Sequence, residues 1–178
     1  MTATAPPSAR RAACLLALAG FLIASPGSAP RAQQSLPDGI AAPGTRPVLT
    51  VHAAGAQIYE CTADADGRPG WRFREPIAAL FVNGVTAGRH FAGPSWQLTD
   101  GALVLARAAA SAPGATTEDI PWLKLAVIPG QASGRLAAVT VVQRINTHGG
   151  TLAGPCDTVG ALRPVPYSGD YVFLAPGG

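Results

Sequence analysis

From residue 48 onward the chain alternates short apolar runs with breaks that contain Gly, Pro, Asn or Asp. Period-2 alternation of this kind predicts half-buried β-strands, with successive side chains on opposite faces. Strands are expected over residues 48–53 and 56–62, on either side of Gly55, and over 71–74 and 77–83, on either side of Pro76. Further strands are expected over 86–91, 95–99, 102–108, 122–128, 135–147 and 169–174. Tyr59 and Cys61 fall on one face of their strand. In the 135–147 strand Val142 and Arg144 share a face opposite Val141 and Ile145. Asn83-Gly84 and Asp100-Gly101 tolerate the positive φ of tight two-residue hairpin turns, so each joins two antiparallel strands. No amphipathic helical period occurs beyond the N-terminal region. The predicted class is all-β: a single-domain antiparallel β-sandwich or small β-barrel.

The N-terminal pattern differs in kind. Arg10-Arg11 precede an apolar run over residues 12–24, which Ser25-Pro26-Gly27 ends. A basic n-region followed by an apolar run of this length reads as a signal peptide, and the run is too short to span a bilayer, which needs roughly 20 residues. Residues 1–32 are therefore expected to be cleaved, with Ala32 as the preferred site. Residues 33–46, rich in Pro and Gly, read as a flexible lead-in, and 47–178 as the β domain. The mature chain of about 146 residues suits one domain with a real core.

Charge changes meaning once the signal is set aside. The whole chain carries 13 Lys+Arg against 10 Asp+Glu. Arg10, Arg11 and Arg31 leave with the signal, and every acidic residue lies beyond it, so the mature chain balances to zero. A nucleic-acid partner would need a clustered positive surface, and none is expected. No stable membrane span is expected in the mature chain. Cys61 and Cys156 remain after cleavage, and an even count in an exported chain predicts a disulfide between them. The expected compartment is periplasmic or extracellular.

Catalytic signatures are sparse. His52, His90 and His148 lack a second ligand type at metal-binding spacing, so no metal and no cofactor are expected. His90, Ser95 and Asp100 lie close in sequence, but no Gly-x-Ser-x-Gly elbow exposes the serine. Arg144 is polar within an apolar strand. If buried it needs a carboxylate, for which Asp100, Asp157 and Asp170 are candidates. Tyr59, Trp71, Trp96, Trp122, Tyr167 and Tyr171 are scattered over several strands, as core aromatics or as a stacking platform.

Several motifs in order resemble one family. They are Gln57-Ile58-Tyr59-Glu60-Cys61, then His90-Phe91-Ala92-Gly93-Pro94-Ser95-Trp96 with Asp100-Gly101, then Ile120-Pro121-Trp122-Leu123. Gln143-Arg144-Ile145-Asn146-Thr147, Cys156, Val165-Pro166-Tyr167 and Asp170-Tyr171 follow. Together they resemble the exported bacterial and fungal family called domain of unknown function 3455, over about residues 36 to 175. Ala102 and His148 depart from its pattern without disturbing the framework. The resemblance implies export and a coherent fold, and brings no catalytic residue. The expected function is a ligand- or partner-binding module with a site at His90, Trp96 and Arg144. Its ligand would be a glycan, a small apolar molecule or an envelope protein. The alternatives are a hydrolase-like enzyme using His90, and a structural envelope protein without a small-molecule ligand.

Overall fold

Eight strands account for nearly all the regular structure of the computed structural model, which describes residues 1–2 and 36–178. The expected signal peptide lies almost wholly outside the described residues. The strands are β1 (Thr45–Ala63), β2 (Pro69–Val82), β3 (Val85–Phe91), β4 (Ser95–Leu98), β5 (Leu103–Ala112), β6 (Trp122–Ala132), β7 (Val141–Gly149) and β8 (Leu162–Pro176). Each pairs antiparallel with its neighbour in sequence. β8 returns to β1, from Thr45↔Pro176 to Glu60↔Leu162, and closes the sheet into a barrel. Of the two all-β architectures expected, the structure is the barrel.

Several predicted breaks are continuous strand. β1 runs straight through Gly55, because the glycine serves packing rather than turning. A Cβ there would collide with the Ile77 carbonyl oxygen and crowd Ala78 on β2. β2 likewise runs through Pro76. β3 pairs with β2 only from Ala78 onward, so at Pro76 the strand has a partner on one flank, an edge-like setting that accepts proline. The expected long strand at 135–147 is instead a one-turn 3₁₀ helix (Gly134–Leu136) followed by β7. The Asn83-Gly84 turn is the two-residue hairpin expected, with φ of 50° and 78° and Val82 paired to Val85. The Asp-Gly hairpin is one residue longer than expected. Leu98 N–H bonds the Ala102 carbonyl across Thr99-Asp100-Gly101, and Gly101 takes φ 86°. The Asp100 carboxylate holds the turn through the Ala102 N–H at 3.0 Å.

Inward side chains divide the barrel interior into two halves. At one end Val51, Leu80, Leu98, Val104, Val142 and Phe173 pack into a core, with Leu136 of the 3₁₀ turn buried against it. Each such side chain contributes about 1.5–3 kcal/mol relative to exposure. At the other end the inward residues enclose open space. Part of the lead-in is pinned outside the barrel. Residues Asp38–Ile40 form a second 3₁₀ turn whose Ile40 is buried with Ala112 and Trp122, and the Gln143 side-chain amide donates to the Ile40 carbonyl at 2.7 Å.

Cys61 and Cys156 form the expected disulfide, with 5.9 Å between their Cα atoms. It ties the β7–β8 loop to the end of β1, just beyond the open half of the barrel. The Tyr59 hydroxyl fastens the same loop by donating to the Gly150 carbonyl at 2.8 Å. Among the described residues no helix is long and apolar enough to cross a membrane. A disulfide fits a compartment outside the reducing cytosol.

Candidate functional site

The open half of the barrel is a cavity of about 480 Å³. His90, Trp96 and Arg144, from β3, β4 and β7, all line it. Register explains the convergence. His90 is the direct cross-strand partner of Trp96, and Arg144 that of Tyr171 on β8. All four side chains point inward, so the closed sheet gathers them although their numbers span 81 positions from 90 to 171.

The aromatic groups form the floor. The His90 ring lies parallel to the Trp96 indole, with centroids 4.7 Å apart and planes 5° apart. Tyr171 packs tilted against His90 and edge-on against Trp96, and Phe173 also meets the indole edge-on. Trp96 is 0% exposed, so it supports the floor more than it offers an open stacking face. The walls above are mostly apolar, from Phe73, Pro76, Pro94, Ile120, Leu123 and Leu125.

His90 Nδ1 sits 2.8 Å from the Ser95 carbonyl. A carbonyl only accepts, so Nδ1 carries the hydrogen and Nε2 is the unprotonated nitrogen. Burial chiefly, and the positive charge of Arg144 to a lesser degree, lower the His90 pKa from 6.5 to about 4 against the Ser95 hydrogen bond. No carboxylate reaches the ring. The Ser95 hydroxyl donates to the Ala92 carbonyl, and Asp100 bonds the Ala102 amide and Arg135, so these three residues make no triad. Burial likewise raises the Tyr171 pKa, opposed by the charge of Arg144, and keeps the phenol protonated.

Arg144 is half-buried, and the carboxylate that full burial would require is absent among the described residues. None of Asp100, Asp157 and Asp170 reaches it. Asp100 is 2.8 Å from Arg135, Asp170 holds His52 and Asn146, and Asp157 is exposed in the β7–β8 loop. The guanidinium instead donates from Nε and Nη2 to the Pro121 carbonyl, at 3.1 and 2.8 Å.

The aromatic platform imagined from sequence is only partly assembled. Tyr59 and Tyr171 line the cavity with Trp96. Trp71 lies elsewhere, with the Arg163 guanidinium 6.0 Å from its ring, and Trp122 belongs to the small cluster around Ile40. Gln57 is a cavity residue that sequence reasoning missed. Its signal was position: it shares the inward row of β1 with Val51, Ala53, Tyr59 and Cys61, where a polar residue is out of place. It is 2% exposed and its amide nitrogen has no partner among the described residues. Among the described residues no group of three His, Cys, Asp or Glu is placed to hold a metal ion.

Fold and cavity together define a class: a disulfide-stapled, eight-stranded antiparallel barrel, packed in one half and hollow in the other. Within that class the chain belongs to the family described as Protein of unknown function (DUF3455), whose model matches residues 41–175. No curated protein matches the chain, and no solved structure does.

Proposed function

We propose that this protein is an exported binding barrel that holds one small, largely apolar ligand, with His90, Trp96 and Arg144 as part of its site. The observation that supports this most is the gathering of those three residues around one cavity of about 480 Å³. Ligand pockets usually fall in the range of roughly 300–1,000 Å³, and eight-stranded barrels are wide enough for one small ligand. The apolar walls favour an apolar body over a glycan. Acid–base chemistry at His90 finds less support. With a pKa of about 4 and no carboxylate partner, the imidazole is a weak base at neutral pH.

A neutral apolar fluorophore such as N-phenylnaphthylamine tests the reading. It should brighten saturably with the wild-type protein. Ala108 lines the cavity on its solvent-exposed side, so Ala108→Trp should obstruct the opening and weaken the signal without loss of fold by circular dichroism. A wild-type protein that gives no saturable signal would count against a ligand barrel. Export belongs to the same proposal: the mass of the protein recovered from periplasm or medium should correspond to a chain beginning at Gln33.

A further inference from the structure

We infer that the ligand is an apolar molecule bearing a single carboxylate, and that Arg144 is the group that recognises it. This rests on the ligand-binding reading above and adds its chemistry.

Arg144 is half-buried, with its guanidinium beside apolar walls, where a counter-charge is stabilising. The protein supplies none. All acidic residues lie among the described residues. Their ion pairs engage Arg68, Arg74, Arg135 and His52, and none reaches Arg144. Among the described residues the one other cation on the cavity, Arg74, is already held by Glu60 and Glu75. The cavity therefore contains one uncompensated positive charge, which suits a monoanion better than a phosphate dianion or a dicarboxylate.

Geometry leaves Arg144 free to act. A guanidinium has five N–H donors in a planar fork, and the Pro121 carbonyl engages only Nε and Nη2. That anchor fixes the plane of the fork, leaving N–H groups for a carboxylate. The neighbouring polar groups are complementary. The Tyr171 phenol, opposite Arg144 in register, keeps its proton and can donate when the Tyr167 hydroxyl 3.4 Å away is the donor of their shared bond. Gln57 adds an amide nitrogen that no described residue satisfies. His90 is neutral at neutral pH, so it adds no second positive charge. The remaining lining takes up an apolar body.

Matched acid and alcohol pairs test this by calorimetry on the full, disulfide-bonded protein at pH 7. Naphthoate against naphthylmethanol probes a ring body, and decanoate against decanol a chain. In each pair that binds, wild type should prefer the acid by about tenfold or more, the worth of a charge-assisted hydrogen bond. Arg144→Met should shrink that preference to about twofold or less while the alcohol still binds. Arg144→Gln repeats the test should the methionine variant misfold, and the wild-type comparison needs no variant. Equal binding of acid and alcohol by wild type would overturn the carboxylate and leave the ligand barrel standing, as would a preference that survives loss of Arg144. Failure of every probe to bind would sink both.

Discussion

The indole of Trp96 has no solvent exposure, yet it forms the floor of a hollow. It therefore contributes to stability before it contributes to any site. Trp96→Ala should cost about 3–5 kcal/mol in urea denaturation, the usual penalty for emptying an aromatic core position. A loss below about 1 kcal/mol would show that the ring is not core. His90, stacked on it, should make stability depend on pH. Its native pKa of about 4 lies below the ordinary 6.5, so the unfolded chain binds the proton more readily. Stability is then full above about pH 6.5 and declines as pH falls toward about 4, by on the order of 3 kcal/mol in all. His90→Gln should flatten that slope in urea midpoints measured across the window. That His90 and Trp96 lie on successive strands was legible in sequence, whereas their direct opposition is a matter of register that the structure supplies. The partner of Arg144 was not. A Pro121 carbonyl from the segment leading into β6 leaves no trace in residue types, whereas a carboxylate would have.

At the scale of elements, glycine and proline misled where they were read as punctuation. Gly55, Pro76, Pro164 and Pro166 all lie inside strands. β7 reaches β8 only from Tyr167 onward, so Pro164 and Pro166 keep one flank unpaired, as Pro76 does. At Pro76, β2 rises with β1 beyond the shorter β3, and Gln57, Tyr59, Phe73 and Pro76 of that stretch line the cavity. Gly55 marks the opposite condition, a backbone approach too close for a side chain. Gly55→Ala should destabilise the barrel by about 1–3 kcal/mol through overpacking, measured by thermal or urea unfolding. Equal stability would mean that β1 and β2 part easily at that point. The Asn83-Gly84 hairpin was legible because two left-handed residues in a row admit few other geometries.

For the whole molecule, alternation and turn signals identified an antiparallel all-β fold but left sandwich and barrel equally open. The choice depends on β8 reaching β1, a pairing between distant parts of the chain that no local pattern encodes. The disulfide was legible because, once Cys14 is set aside with the expected signal peptide, the two remaining cysteines admit only one intramolecular pairing. Its sequence separation of 95 makes it a long-range clamp. Replacing both cysteines by alanine should lower stability by about 2–5 kcal/mol. It should also weaken binding of the neutral fluorophore, because the clamped loop meets β1 beside Tyr59 at the cavity. Unchanged affinity in a destabilised but folded variant would confine the bridge to a structural part.

The β1–β8 seam also sets an order of events. A ribosome delivers the chain from its N-terminus, so β1, 19 residues long, appears first and its final neighbour, Leu162–Pro176, last. Until β8 arrives, one flank of the longest strand stands open, a template on which another copy of the chain can dock. A chain stopped at residue 161 never loses that open flank, and should aggregate at concentrations where the complete barrel stays monodisperse.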